Sequence, residues 1–179
     1  MTARVLHLLG SAAPPITYLP DAITLAQSDG WEVCVGLTPT AAEWAEAHIP
    51  HMETASGHPV RVVPRRLGEG AVWPPADVTI LAPATLNTIN TCALGLTPNV
   101  VTGVIAEVLG KRQPLVVMPC LNDAFATHPQ FGRSVETLRG AGVRVLLGEG
   151  GFQPNPPGEG RPKEYPWHLA LAAAHEALA

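Results

Sequence analysis

Val78-Thr-Ile-Leu-Ala82 is a short apolar run that Pro83-Ala-Thr-Leu-Asn-Thr88 follows directly. The first part has the length and composition of a strand buried on both faces, and the second part begins as a helix would. Similar runs, closed by Gly or Pro, predict further strands near residues 4–9, 31–36, 60–64, 114–118 and 143–147. Segments of helical period lie at 16–28, 40–48, 86–95, 98–110 and 130–140, with a last helix at 166–178. This alternation predicts a doubly wound α/β fold with a parallel sheet covered on both faces.

The length and composition favour one domain over residues 1–179. With 46% hydrophobic residues, the chain can build one sizeable core, in Rossmann-like or flavodoxin-like three-layer αβα form. Only 15% of the residues are charged, against about 25% in an average soluble domain. A surface so poor in charge suggests that part of it is buried against other copies of the chain.

Charge, hydropathy and cysteine usage exclude several classes of function. The net charge is −4 and no basic run is longer than Arg65-Arg66, so we expect no nucleic-acid partner. No apolar stretch is long enough to span a membrane. The three cysteines lie far apart without a CxxC pair, which predicts a reducing, cytoplasmic setting. Two histidine pairs, His48 with His51 and His168 with His175, lack a partner spaced to complete a metal site, so we expect no metal.

Small and polar residues follow the predicted strands, at the edge where such sheets bind ligands. They are Gly10 and Ser11 after the first strand, Thr38 and Thr40 after the second, residues 83–88 after the fourth, and residues 119–123 after the fifth. A long loop rich in Gly and Pro occupies 148–162. Each hydroxyl or amide taken alone has a structural reading as a helix cap or turn. Together they predict a polar, largely uncharged cleft suited to a phosphorylated cofactor.

Several motifs, in order along most of the chain, resemble those of the homo-oligomeric flavin-containing cysteine decarboxylases. This family includes the lantibiotic peptide decarboxylases and phosphopantothenoylcysteine decarboxylase. Pro83-Ala-Thr-Leu-Asn-Thr88 resembles the family's PASANT motif, and Ser56-Gly-His-Pro-Val60 resembles its SGxPV segment. Pro119-Cys-Leu-Asn-Asp-Ala-Phe125 is similar to a degraded PxMNxxMW motif, and Gly158-Glu-Gly-Arg161 to the GxGR that ends the family's substrate-clamp loop.

The resemblance implies FMN, with FAD as an alternative, bound at a subunit interface of a homotrimer or of a dodecamer built from trimers. The implied cofactor-binding residues are Gly10, Ser11, Thr38, Thr40, Pro83, Ala84, Thr85, Asn87, Thr88 and Thr102. Asn122 matches the residue that holds the substrate's carboxylate, and Cys120, Phe125 and Arg161 are the other implied substrate contacts. In the family, the flavin takes two electrons from a terminal cysteine, and the resulting thioaldehyde loses CO2 to give an enethiol.

Two positions depart from the family pattern. Glu69 stands where the family has its catalytic histidine, and residues 59–127 contain no histidine. A carboxylate there can replace the base only if its environment raises its pKa, so Glu69 is both a candidate catalytic residue and a candidate solvated loop residue. Pro154 stands where phosphopantothenoylcysteine decarboxylases have a cysteine, which argues against a role in coenzyme A synthesis.

Three functions therefore remain open. The first is FMN-dependent oxidative decarboxylation of a cysteine-terminated peptide or small thiol. The second is other flavin chemistry, such as the prenylation of FMN by the similar UbiX-type prenyltransferases. The third is a flavin carrier, sensor or complex subunit that binds FMN without catalysis.

Overall fold

A five-stranded parallel sheet forms the centre of the protein, in a computed structural model that describes residues 3–179. The strands are β1 (Arg4–Gly10), β2 (Trp31–Leu37), β3 (Val78–Ala84), β4 (Leu115–Pro119) and β5 (Arg144–Val145). Their order in the sheet is β2-β1-β3-β4-β5, and every pairing is parallel. The order reverses between β1 and β3, so their carboxyl ends open a crevice where ligands of such folds bind.

Eight helices connect the strands in the described part of the chain. They are α1 (Leu19–Ser28), α2 (Pro39–Trp44), α3 (Ile49–Ser56), α4 (Leu86–Ala93), α5 (Val100–Gly110), α6 (Asp123–Ala126), α7 (Pro129–Gly140) and α8 (Trp167–Glu176). Short 3-10 turns at Pro14–Tyr18, Glu46–His48 and Pro162–Glu164 complete the connections.

The sheet separates two hydrophobic cores, which confirms the predicted α/β class. Leu6 and Leu8 of β1 join a core that includes apolar residues of α1 and α8. Val5 and Leu9 of the same strand join the other core, with residues of α4, α5 and α7. Because neighbouring residues of a strand point to opposite faces, a strand buried on both sides is apolar throughout. This explains why the central strands are recognisable as mainly apolar runs, with exceptions such as His7 in β1 and Glu32 in β2.

The predicted strand at 60–64 is wrong. This segment forms a single bridge, in which Arg61 pairs with Gly36, and the chain then leaves the sheet. Pro59 precedes the segment and Pro64 ends it, and neither has the N–H that a strand ladder requires. Val63 is 72% exposed. Residues 143–147 were predicted as a full strand, but only Arg144–Val145 pairs with β4.

The predicted helix at 40–48 is also different in the structure. It ends at Trp44, and α3 follows as a separate helix that the sequence analysis missed. Pro50 lies in the first turn of α3, where a proline costs no hydrogen bond. The short α6 was missed as well.

Two further findings concern residues 3–179 only. No helix in this range is long and apolar enough to cross a membrane. The same residues contain no group of three or more His, Cys, Asp or Glu side chains placed to hold a metal ion.

Candidate functional site

A cavity of about 620 Å³ lies at the carboxyl ends of β1, β3 and β4. Its lining comes from residues 12–15 after β1, residues 85–87 after β3, residues 120–122 after β4, and the loop that precedes α8. The walls are mainly apolar, and their polar groups are chiefly amides, hydroxyls and one guanidinium. Ligand cavities typically occupy about 300–1,000 Å³ and have this composition, so the crevice at the sheet's switch point is the candidate site.

Six of the residues singled out from the sequence lie in this lining. They are Thr85, Asn87, Cys120, Asn122, Phe125 and Arg161. The other implied cofactor residues, Gly10, Ser11, Thr38, Thr40, Pro83, Ala84, Thr88 and Thr102, lie outside the lining of the single chain. The structure thus brings together the implied substrate contacts and part of the implied cofactor set.

Ser11 ties together the two strand ends beneath the cavity. Its hydroxyl donates to the Pro83 carbonyl at 2.9 Å and accepts the N–H of Thr85 at 2.9 Å. The Ser11 N–H also donates to the Pro83 carbonyl at 2.9 Å. Only 1% of the surface of Ser11 is exposed, and its hydroxyl and N–H are hydrogen-bonded to the sheet edge. Its evident role is to fix the start of α4 against the end of β1.

The other predicted hydroxyls mostly cap helices. Thr38 accepts the N–H of Ala41 at the start of α2, and Thr85 accepts the N–H of Thr88 at the start of α4. Thr102 forms a reciprocal capping box with Asn99 at the start of α5. Such caps satisfy N–H groups that a helix leaves unpaired in its first turn. These threonines therefore fix the starts of three helices, of which α4 begins in the lining of the cavity.

The side chain of Asn122 is oriented by the helix that it caps. Its Oδ1 accepts the backbone N–H of Phe125 at 3.0 Å, at the start of α6. An amide whose oxygen is engaged in this way has its NH2 group, with two donors, left for a ligand. Asn122 lines the cavity, so this orientation suits it to bind a carboxylate without placing a charge there.

The ionisable residues of the lining are Cys120, Arg161 and Tyr165. Burial raises the pKa of the Cys120 thiol to about 12. Burial also raises the pKa of the Tyr165 hydroxyl well above its usual range, with the nearby Cys120 as a second cause. Both groups therefore keep their protons at neutral pH. Within the lining that one chain provides, Arg161 is the only charged side chain, and none of these residues can act as a base.

Glu69 lies apart from this cavity. It is an exposed residue of the loop between α3 and β3, and its carboxylate accepts the backbone N–H of Arg66 at 2.8 Å. The cavity lining of the same chain does not include it. Any contact between Glu69 and the site would have to come from a second copy of the chain.

Three backbone hydrogen bonds hold the loop at 148–162, one of them within the loop and two to the neighbouring segments. The Gly148 N–H donates to the Phe152 carbonyl, and the Phe152 N–H donates to the Leu146 carbonyl. The Asp123 N–H donates to the Asn155 carbonyl at 2.9 Å, next to Asn122. Sequence reasoning placed the loop at the site but missed Asn155 as its point of attachment. Its only sequence signal was an asparagine between two prolines in a loop rich in Gly and Pro.

Comparisons with known proteins show which family the chain belongs to. A family model described as Flavoprotein matches residues 3–165. The chain belongs to the Flavoprotein family. The flavoprotein class expected from the motifs is thereby confirmed.

Solved structures share the fold of this flavoprotein along nearly its whole length. One is the FMN-dependent cysteine decarboxylase TvaF from thioviridamide biosynthesis, with 21% identity, 98% of both chains covered and a TM-score of 0.75. Another is MrsD from Bacillus sp. HIL-Y85/54728, with 22% identity, 98% of this chain and 96% of that chain covered, and a TM-score of 0.72. At these identities the matches show a common fold.

A curated relative matches over a shorter region. The coenzyme A biosynthesis bifunctional protein CoaBC of Thermococcus kodakarensis is 30% identical over 71 residues. The match spans 40% of this flavoprotein and 17% of that relative. The chain therefore corresponds to a small part of the bifunctional protein.

The residues around the cavity fit a flavin. Apolar walls suit a flat aromatic ring system, and the amides of Asn87 and Asn122 can pair with the polar edge of such a ring or with a substrate beside it. The start of α4 lies in the lining, at residues 85–87, and helix N-termini favour phosphate groups. The lining that one chain provides contains no acidic residue that would repel a phosphate.

Proposed function

We propose that this flavoprotein binds FMN in the cavity and catalyses the oxidative decarboxylation of a cysteine-terminated peptide or a related small thiol. The observation that carries the proposal is the Asn122 amide. Its oxygen is fixed by the cap of α6, and its NH2 group is left for a carboxylate in an apolar cavity of a member of the Flavoprotein family. The relative TvaF, which is an FMN-dependent cysteine decarboxylase, shares the fold.

The chemistry divides between cofactor and chain. The flavin, when bound, supplies the capacity to accept the two electrons and two protons that leave the Cα–Cβ–S unit of the terminal cysteine as its C–S single bond becomes C=S. The bond between Cα and the carboxylate then breaks, CO2 leaves, and the electron pair of that bond passes to the thiocarbonyl to give an enethiolate, which takes up a proton from solvent to become the enethiol. In this proposal Asn122 and Arg161, which both line the cavity, hold the carboxylate beforehand. The apolar walls favour loss of CO2, because they disfavour the localised charge of the carboxylate more than the charge spread over the enethiolate.

A second candidate function is flavin binding without decarboxylation. It is favoured by the lack of a base in the lining of one chain and by the exposed position of Glu69. The Glu69→His variant distinguishes the two functions. If the wild type is inert with bound flavin and the histidine variant gains decarboxylation, the binding function is the natural one. If the wild type decarboxylates and the variant merely changes the pH profile, Glu69 serves the enzyme.

The primary test begins with the purified protein. We expect a yellow protein from which heat releases FMN, identified by chromatography and mass. Anaerobic mixing with a short peptide that ends in cysteine should bleach the flavin absorbance and release CO2. The same peptide ending in serine is the control, since it has the carboxylate but no thiol. A colourless protein that takes up no FMN would refute the cofactor proposal, and a flavin that stays oxidised across a panel of such peptides would refute the reaction.

A further inference from the structure

Tyr165 lies at the junction between the 148–162 loop and α8, and its side chain is buried beside the cavity. The hydroxyl donates to the Met118 carbonyl at 2.6 Å and lies 3.3 Å from the Pro119 carbonyl. Both acceptors belong to the last two residues of β4. The ring packs against Phe152 and Trp167, with centroids 5.7 and 4.9 Å away, so the aromatic body is held independently of the hydroxyl.

The Tyr165 hydroxyl is a further donor at the end of β4, where the pairing of β4 with its neighbouring strands comes to an end. The register between β3 and β4 shifts between Leu81 and Ala84, a stretch that contains Pro83, which has no N–H to donate. On the other side, β5 pairs with β4 only at Val116 and Val117. A backbone carbonyl can accept two hydrogen bonds, and the Tyr165 hydroxyl donates to that of Met118 where the strand gives way to the turn.

The residues directly after this point form the wall of the cavity. Cys120 is held by its N–H bond to the Ala84 carbonyl at 2.9 Å, and Asn122 caps α6. The Asp123 N–H bond to the Asn155 carbonyl then connects this turn back to the loop that ends near Tyr165. The Asn122 amide thus sits between two attachments of the 148–162 loop, one through Tyr165 and one through Asn155.

We propose that Tyr165 is a positioning residue for this site, whose hydroxyl fixes the turn at 119–123 and so aims the Asn122 amide at the substrate's carboxylate. The inference rests on the proposed function for the identity of that ligand. Tyr165 acts through backbone carbonyls and through Asn122, and its hydroxyl is engaged with the protein rather than with the substrate. It also links the 148–162 loop to the carboxylate-binding turn as one unit.

The Tyr165→Phe variant tests the first part of the proposal, since it removes the hydroxyl and leaves the ring. Hydrogen exchange of the purified protein should show amides 120–125 exchanging about fivefold faster or more, with β1 unchanged. The control is Trp167→Phe, which trims the neighbouring ring at an indole N–H that has no partner within the described residues. We expect this control to leave amides 120–125 at the wild-type rate relative to β1. Unchanged exchange at 120–125 in Tyr165→Phe would overturn the proposal.

Kinetics test the second part, with a short cysteine-terminated peptide as substrate. Tyr165→Phe should raise KM about tenfold, the effect of one lost buried hydrogen bond, while kcat changes less than about twofold. In an Asn122→Ala background, Tyr165→Phe should raise KM no further, because both changes remove the same aligned amide. Independent, additive effects on KM would show that Tyr165 does not act through Asn122. If no peptide is turned over, the proposed function fails, and the exchange experiment still decides the positioning role.

Discussion

Asn122 combines two tasks in one amide. Its Oδ1 caps α6, and this commitment leaves the NH2 group as the part available to a ligand. A residue with an oxygen at the same position but no NH2 would keep the cap and lose the ligand contact. The two tasks can therefore be separated by substitution.

Asn122→Asp makes this separation. Asp is as good a helix cap as Asn, so we expect the unfolding free energy to stay within about 0.5 kcal/mol of wild type. Binding of a carboxylate should weaken about 100-fold, since two donors are lost and a like charge faces the ligand. The KM of a cysteine-terminated peptide measures this loss. An equal KM for variant and wild type would exclude Asn122 from the carboxylate contact.

The three cysteines are unpaired and share one electrostatic property. Burial raises the pKa of Cys34, Cys92 and Cys120 from 9.0 to about 12, with Glu32 as a further cause for Cys34. The folded state thus favours the protonated thiol. Their contribution to stability is complete below pH 9 and is lost as the pH rises from there toward 12.

We accordingly expect the urea midpoint of unfolding to fall steadily above pH 9. Fluorescence-detected unfolding at pH 8, 9, 10 and 10.5 measures it. In the Cys92→Ala variant, the midpoint should fall less steeply across the same pH series than in wild type, because one thiol with a raised pKa has been removed. A midpoint that stays flat up to pH 10.5 would contradict the burial of these thiols.

At the scale of elements, the edge that carries the site depends on one buried hydroxyl. Ser11 joins the end of β1 to the start of α4 by donating to Pro83 and accepting from Thr85. Removing it leaves the Thr85 N–H without this partner. The cost of such an unsatisfied buried group is about 1–3 kcal/mol.

Ser11→Ala should therefore lower the free energy of unfolding by about 1–3 kcal/mol, measured by urea titration. Ser28→Ala is the matched control. Ser28 is exposed in the last turn of α1, where its hydroxyl donates to the Thr24 carbonyl, and its loss should change stability by less than about 0.5 kcal/mol. If both variants are equally stable, Ser11 does not hold the sheet edge.

Among the strands and helices, some could be predicted from the sequence and others could not. The strands β1 to β4 were recognisable because burial on both faces makes them mainly apolar. Residues 60–64 have a similar valine-rich composition, but Pro59 and Pro64 at their two ends prevent a ladder. The helix α3 was missed, although Pro50 stands in its first turn, where a proline is compatible with a helix. Composition alone does not separate these cases.

The site was predictable where it depends on position after a strand, as for Cys120 and Asn122. The contact of Tyr165 with Met118 joins residues 47 positions apart, and no local pattern signals it. Likewise, the sequence could not show that the hydroxyls of Ser11 and Thr38 form hydrogen bonds within the protein. Helix caps and phosphate-binding sites use the same residue types, so the sequence does not distinguish them.

At the scale of the whole molecule, the surface is low in charge and carries large exposed apolar side chains. Only 15% of the residues are charged, and Leu67 is fully exposed at the tip of the loop that also holds Glu69. Val63 of the same loop and Leu94 and Leu96 after α4 are more than half exposed. We propose that such residues are buried in a homotrimer or a larger assembly of trimers. The loop that bears Glu69 would then lie between subunits, where it could approach a neighbouring cavity.

Leu67→Asp tests this assembly. In wild type, light scattering should give at least three times the chain mass of 18.8 kDa. A charge in the centre of a buried contact is strongly unfavourable, so the variant should dissociate at micromolar concentration. Its circular dichroism spectrum should stay unchanged, because Leu67 makes no core contact in a single chain. If the loop borders the site, flavin affinity should fall together with the mass. If the wild-type protein has the mass of a single chain in solution, the assembly is disproved. If the Leu67→Asp variant keeps the mass of the assembly, the contact lies on another surface.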